Sequence, residues 1–216
     1  MRHLYYHENT RGHSLGDTIV ILSDIAYHNE ETTWHFGNYP AIEDEEISTV
    51  SRMWRIYKNS LPHLKFSCGT HQSNRGRGHY SNFGMNKNCK ALKINYDHFS
   101  IGQPYFTYQF VNADPSRSVH SSLHEEIVEQ QSKGLVGIEV GSDRNITLKD
   151  EIAKVGNAEF HLGINSGFGW VANACDTRFK LVGVDTEPGH CKRWIEGHAR
   201  HPLFQNTGLV FKSQKG

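Results

Sequence analysis

One stretch of the chain, EFHLGINSGFGWVANACDTRFKLVGVDTEP over residues 159–188, constrains the fold more than any other. An apolar run of strand length is followed by Asn165, Ser166 and Gly167, then by a helical segment and a second apolar run. This order predicts a βαβ unit of a parallel sheet. The first amides of its helix have no partner within the helix, so they can bind a phosphate or a sugar hydroxyl. The alternative is an ordinary turn, in which Asn165 or Ser166 caps the helix.

The remaining apolar patterns predict an α/β protein with two Rossmann-like halves that face a cleft, residues 1–112 and 113–216. Further elements follow from apolar periodicity and from turn residues. Strands are predicted at 3–8, 32–37, 63–69, 91–96, 105–112, 135–141, 159–164 and 179–184, and helices at 15–28, 45–62, 121–131, 148–155 and 169–175. The tail, 194–211, is predicted to form a helical segment and a final strand. Residues 71–90 show no period and are predicted to form a long loop.

Composition excludes several classes of protein. The chain has no apolar run of membrane-crossing length and no apolar leader. It also has neither a Walker-type loop nor a Gly-x-Gly-x-x-Gly loop, which disfavours a kinase or a dehydrogenase. The four cysteines show no Cys-x-x-Cys spacing, so we expect reduced thiols in a soluble cytoplasmic protein. The spacing of His190, Cys191, His198 and His201 fits no common zinc site.

Charge is balanced overall but unevenly distributed. Residues 47–96 contain no Asp or Glu and nine Lys or Arg, which indicates a surface for a polyanion. The alternative is a set of solvated cations that pair with acids elsewhere in the fold. The loop at 71–90 mixes basic and aromatic side chains, which suits phosphate contacts together with stacking on a base. The candidate contacts in this loop are Arg75, Arg77, Tyr80, Lys87 and Lys90.

Three segments together resemble the heptosyltransferase family, family nine of the glycosyltransferases. Asn165-Ser166-Gly167, with Thr186, Pro188 and Gly189 downstream, resembles the family's donor-binding turn. RGHSLGDTIVILSDIAYH at 11–28 resembles its Gly-Asp motif, and NADPSRSVHSSLHEEIVEQQ at 112–131 resembles the start of its second half. The resemblance implies the two-lobed GT-B architecture, with an acceptor in the first half and a nucleotide sugar in the second.

The resemblance also implies residue roles. Asp17 would be the catalytic base, with Gly16 beside the acceptor, although Asp17 could instead complement its helix dipole. Arg117, where the family has a lysine, would neutralise the leaving diphosphate, although it could be a plain surface arginine. Ser116 would add a hydroxyl donor. The donor diphosphate and sugar would be held by Asn165, Ser166, Gly167, Phe168 and Gly169.

The implied activity is sugar transfer from a nucleotide sugar, such as a UDP-sugar, to a hydroxyl group. Asn165 stands where the family has aspartate and Trp170 where it has histidine, so heptose is not carried over as the donor sugar. No Asp-x-Asp motif is present, which favours a metal-independent enzyme without a cofactor. The preferred acceptor is hydroxymethylcytosine in bacteriophage DNA, since the chain is compact and has a basic stretch. Alternatives are a phosphorylated cell-envelope saccharide, an epimerase, or a binding module without transfer activity.

Overall fold

The computed structural model describes residues 2–5, 15–36, 61–68, 91–143, 145–186 and 191–215. The chain divides into two units, Met1–Leu92 and Lys93–Gly216. The division falls earlier than the expected residue 112. The strand β4, Tyr105–Gln109, explains this, because it pairs with two strands that follow it in the chain.

The first unit contains a parallel sheet in the order β1-β2-β3. Helix α1 has the predicted bounds, and its buried side chains Ile19, Leu22 and Ile25 recur at helical spacing. The helix predicted at 45–62 and the loop predicted at 71–90 lie almost entirely outside the described residues. The elements of this unit are β1 Arg2–Tyr5, α1 Leu15–His28, β2 Thr32–Phe36 and β3 Leu64–Cys68.

The second unit is built on a five-stranded parallel sheet in the order β5-β4-β6-β7-β8. It confirms the predicted α/β class. Two short 3-10 turns, Pro115–Arg117 and Ser121–Leu123, precede its first helix. After β4, the elements are α2 His124–Ser132, β5 Val136–Glu139, α3 Leu148–Gly156, β6 His161–Gly163, α4 Gly167–Ala174, β7 Phe179–Val184, α5 Cys191–His198 and β8 Phe204–Phe211.

The order of these strands creates a switch point between β4 and β6. From β4 the chain passes to β5 on one side, and from β5 it returns across β4 to β6 on the other side. Connections therefore leave the carboxyl ends of two neighbouring strands in opposite directions. In open α/β sheets, the crevice that opens at such a point is where ligands bind.

The prediction of a strand at 91–96 is wrong, because residues 91–104 form neither helix nor strand. This segment instead contacts the helices of the second unit. The amide of Ile94 donates to the carbonyl oxygen of Ala174 at 3.0 Å, and the Asn157 side chain donates to the carbonyl of Asp97 at 2.9 Å. These backbone groups thus find partners without a neighbouring strand, so the alternating apolar pattern does not require a sheet.

Each face of the second sheet has its own core. On the α2 side, Phe106 stacks on Phe160 with ring centroids 4.8 Å apart, and the buried Ile127 of α2 belongs to the same cluster. None of the described helices is long and apolar enough to cross a membrane.

The opposite face encloses two histidines, His161 and His198, which are both fully buried. Nδ1 of His161 lies 3.1 Å from the Thr107 hydroxyl, and Nδ1 of His198 lies 2.9 Å from the side-chain amide of Asn173. The ring of His198 also stacks on Trp170 at 4.1 Å. Desolvation by burial lowers the pKa of both imidazoles to about 3, so both stay neutral at physiological pH.

Acidification below about pH 6.5 should therefore destabilise the second unit. Unfolded histidine binds a proton near that pH, whereas the buried pair stays neutral until about pH 3. Because the unfolded state binds more protons in this window, the free energy of unfolding falls as the pH falls. Each histidine contributes a slope that approaches about 1.4 kcal/mol per pH unit. Urea unfolding, followed by circular dichroism from about pH 7.5 to about pH 5, measures the slope.

The variant His161→Gln should give a shallower slope, because one proton-binding group is removed. His98→Gln is the matched control, since His98 is exposed, and it should keep the slope of the unsubstituted protein. A slope that does not change in His161→Gln would contradict this account of the buried pair.

Candidate functional site

The carboxyl ends of β4 and β6 are joined by a side-chain hydrogen bond. Gln109 is the last residue of β4, and the chain continues from β6 through Asn165 to Ser166, just before α4. The Ser166 hydroxyl donates to Oε1 of Gln109 at 2.5 Å. This bond spans the switch point of the sheet, so the turn before α4 lies where a ligand is expected.

The amino terminus of α4 has no side-chain cap from its N-cap residue. Ser166 occupies the N-cap position in an extended conformation, with φ −139° and ψ 176°, but its side chain makes no capping bond. Its hydroxyl is already engaged by Gln109. The alternative in which Ser166 caps the helix is therefore wrong. An uncapped first turn keeps the positive end of the helix dipole available to an anion.

A cation lies beside this terminus. Arg117 ends the first 3-10 turn, whose start is capped by Asp114 through a bond from the Ser116 amide at 3.0 Å. Nη2 of Arg117 donates to the carbonyl oxygen of Asn165 at 2.8 Å, and its Nε is buried with no partner among the described residues. A positive charge at the positive end of a helix is unfavourable alone and becomes favourable when an anion binds between them.

The turn after β5 closes the same edge. Gly141 has a positive φ of 80°, and a Cβ atom there would lie 2.7 Å from Nε2 of Gln109 and 2.9 Å from Cε2 of Phe168. The backbone of Gly141 lies beside the Glu151 carboxylate, whose pKa is raised, mainly by burial. Only glycine combines this conformation with this close approach.

Three buried polar atoms around this edge lack a partner among the described residues. They are Nε of Arg117, Nδ2 of Asn165 and Oε2 of Glu151. Two can only donate a hydrogen bond, and a carboxylate oxygen accepts one. Since unpaired buried polar groups are rare in native proteins, a ligand with both acceptor oxygens and hydroxyl donors would satisfy this edge.

Of the site residues predicted from the sequence, the structure thus brings Arg117, Asn165 and Ser166 together. Ser116 lies in the same turn, but its hydroxyl donates to Asp114 at 2.7 Å and its carbonyl accepts a bond from Thr186. Ser116 is therefore engaged in holding the turn.

The remaining residues of the turn differ in exposure. Gly167 is partly exposed, whereas Phe168 and Gly169 are buried. A Cβ atom at Gly169 would lie 2.6 Å from Cε1 of Phe179, so this glycine allows α4 to pack closely on β7. Its role as a donor-binding residue rests on its backbone amide alone.

The candidates in the first unit are only partly described. Gly16 and Asp17 lie in the first turn of α1, and Gly16 is buried. The side chain of Asp17 lies outside the described residues. So do the acceptor candidates Arg75, Arg77, Tyr80, Lys87 and Lys90, as well as Pro188 and Gly189 of the downstream motif.

Sequence reasoning missed Gln109, Gly141 and Glu151. Gln109 offered a signal, because it is a polar residue at the end of an apolar strand. Its partner could not be read from the sequence, since neither the strand order nor the hydrogen bond to Ser166 follows from local pattern.

Comparison with known proteins supports the fold. No protein-family model and no curated protein matches the chain. Among solved structures, the chain is similar to the iron-containing dodecameric glycosyltransferase TibC from enterotoxigenic E. coli H10407. The identity is 12% and the TM-score 0.57, over 84% of this chain and 57% of that chain. A second structure, heptosyltransferase TibC with ADP-D-beta-D-heptose, gives 12% identity and a TM-score of 0.55, over 83% and 57%.

The E. coli heptosyltransferase WaaC with ADP is also similar, at 9% identity and a TM-score of 0.48 over 98% of this chain and 93% of that chain. TibC is described as a heptosyltransferase, the family that the sequence motifs resemble. At 12% identity the likeness to TibC shows the fold alone. The chain spans little more than half the length of TibC.

Substitution of Gly141 tests the crowding at this edge. Gly141→Ala should destabilise the protein more than Gly134→Ala, because both sites have positive φ but only Gly141 has close neighbours. The strain of the left-handed conformation costs about 1 kcal/mol or more at each site, and overpacking adds about 1–3 kcal/mol at Gly141. Urea unfolding of both variants measures the difference, and equal losses would contradict the packing described here.

Proposed function

We propose that the chain is a glycosyltransferase and that the unit Lys93–Gly216 binds its nucleotide-sugar donor. The observation that supports this proposal most is the position of Arg117. Its guanidinium binds the turn before α4, and this helix is uncapped and begins at the switch point of a parallel sheet. Amides, a helix dipole and an arginine together form a site for a diphosphate.

The hydrogen-bonding capacity of the site also suits this ligand. A nucleotide sugar carries acceptor oxygens on its phosphates and donor hydroxyls on its sugars. The unpartnered donors of Arg117 and Asn165 match the phosphate oxygens. The unpartnered carboxylate oxygen of Glu151 matches a sugar hydroxyl.

The reaction follows from these roles. The oxygen of the acceptor hydroxyl attacks the anomeric carbon, and the bond from that carbon to the diphosphate oxygen breaks. The nucleoside diphosphate leaves with the bonding electron pair, and its growing charge is stabilised by Arg117 and the first amides of α4. Asp17 accepts the hydroxyl proton as general base. Its assignment rests on the Gly-Asp motif in the sequence.

The proposal assigns the charge of the leaving group to Arg117 rather than to a metal. TibC is described as iron-containing. No group of three or more His, Cys, Asp or Glu suited to a metal ion occurs in the part of the chain that the structure describes. The residues present there do not fit an iron site.

The proposed donor and acceptor follow from the residues of the site and from the charge pattern of the sequence. A TibC structure holds ADP-D-beta-D-heptose, so a donor panel must include ADP-heptose beside UDP-sugars. Asn165 and Trp170 depart from the family pattern and favour a sugar other than heptose. The preferred acceptor is DNA that contains hydroxymethylcytosine, supported by nine basic and no acidic residues over 47–96. A phosphorylated saccharide is the second candidate, because it would also bind a basic surface.

Removal of the arginine tests the donor site. Arg117→Ala should weaken binding of UDP or ADP by roughly 10-fold to 100-fold, which corresponds to the loss of charge-assisted hydrogen bonds. Arg117→Lys should lose less, because the charge remains. Arg178→Ala is the matched control, since Arg178 is exposed and precedes β7 at the opposite edge of the sheet. Calorimetric titration measures the affinity of all three variants for UDP or ADP. Equal affinities in Arg117→Ala and the control would contradict the proposed donor site.

Removal of the proposed base tests the reaction. Asp17→Asn should lower turnover roughly 100-fold to 10,000-fold, the usual contribution of a general base, while donor affinity stays unchanged. Mass spectrometry of hydroxymethylcytosine DNA and of a phosphorylated saccharide, each incubated with the donor panel, measures transfer. EDTA should leave the rate unchanged. Sugar isomerisation without acceptor would instead select an epimerase, and donor binding without either reaction would select a binding module.

A further inference from the structure

Gln109 controls the hydroxyl that would otherwise compete with a ligand at α4. Serine is among the residues preferred at an N-cap, where its side-chain oxygen accepts a bond from an amide of the first helical turn. Ser166 occupies that position with the extended backbone of an N-cap, yet it makes no such bond. Its hydroxyl donates to Oε1 of Gln109 at 2.5 Å instead.

The side chain of Gln109 is itself held in place. It extends from the last residue of β4, and its Nε2 lies under the turn at Gly141, where even one added Cβ atom would come within 2.7 Å. The ring of Phe168 fills the same corner, 2.9 Å from that Cβ position. Gln109 is thus packed between two neighbours while its oxygen meets Ser166.

A second observation shows that the amino terminus of α4 is prepared for a ligand. Asn165 is 4% exposed, and its Nδ2 has no partner among the described residues. Arg117 donates to the carbonyl of the same residue. The turn therefore presents an unpaired donor and a cation beside a helix that its own serine leaves uncapped.

We propose that Gln109 is a positioning residue that keeps the amino terminus of α4 open for the donor diphosphate by holding the Ser166 hydroxyl away from the helix. The inference rests on the proposed function, because it concerns the same site. When Gln109 is removed, rotation about χ1 of Ser166 lets its oxygen accept a bond from the amide of Phe168 or Gly169. The helix then caps itself, and the diphosphate must compete with an internal hydrogen bond.

Three variants test this mechanism. Gln109→Met removes the acceptor at nearly constant volume, Ser166→Ala removes the competing hydroxyl, and the double variant removes both. Gln109→Met should bind UDP or ADP roughly threefold to thirtyfold more weakly, the range expected for an added N-cap. Ser166→Ala and the double variant should bind within about twofold of each other, because without the hydroxyl the side chain at position 109 no longer decides whether the helix is capped. Gln130→Met is the control, because Gln130 is an exposed glutamine on α2 that bonds Glu126.

Equal affinity of Ser166→Ala and the double variant distinguishes positioning from direct contact. A glutamine that touches the ligand, or that only stabilises the fold, would make the double variant weaker than Ser166→Ala by the same factor that separates Gln109→Met from the unsubstituted protein. That result would overturn the proposal, and so would unchanged affinity in Gln109→Met.

A measurement without ligand separates this inference from the proposed function. Hydrogen exchange of the α4 amides, followed by NMR, should slow at Phe168 or Gly169 in Gln109→Met and return to the original rate in the double variant. Failure of the unsubstituted protein to bind any nucleoside diphosphate would refute the proposed function and leave this exchange result valid. If the exchange rates of the Phe168 and Gly169 amides do not change in Gln109→Met, Gln109 does not prevent Ser166 from capping α4.

Discussion

The contact between Arg117 and the carbonyl of Asn165 is the interaction on which the candidate site depends. It fixes a guanidinium next to the amino terminus of α4, so that the charge of Arg117 lies beside the positive end of the helix dipole. A negative ligand bound between them would be stabilised by both. The uncapped helix and the unpaired side-chain amide of Asn165 point to the same partner.

The sheet explains why these groups converge. All five strands of the second unit are parallel, so their carboxyl ends lie along one edge. The order β5-β4-β6 then brings the end of β4 beside the end of β6, and the turn after β5 beside both. Gln109, Gly141 and Ser166 meet through this topology, although they are far apart in the sequence. The chain shares its overall fold with TibC at 12% identity.

Local pattern predicted much of the fold. The bounds of α1 and β7 agree with the prediction, because apolar residues recur with helical period in the first and form a continuous run in the second. The prediction of a strand at 91–96 was wrong, since alternating apolar residues also suit an irregular segment, here one in which the Ile94 amide bonds the carbonyl of Ala174 at the end of α4. The small-residue turn before α4 was predicted correctly from Asn165, Ser166 and Gly167.

The chemistry of the site was only partly predictable. Arg117 came from a resemblance that aligned it with a family lysine, and the structure places it at the turn before α4. The diversion of Ser166 by Gln109 could not be predicted, because it depends on which strands are neighbours and not on the residues around either one. The helix-capping alternative therefore stayed open until the side-chain geometry was known.

A crystal structure with a bound nucleotide sugar tests the central claim most directly. The account predicts a diphosphate oxygen about 2.7–3.2 Å from the Gly167 amide, with the guanidinium of Arg117 on another oxygen of the same diphosphate. A diphosphate bound away from the carboxyl ends of β4 and β6, with the first turn of α4 in contact only with protein atoms, would contradict it.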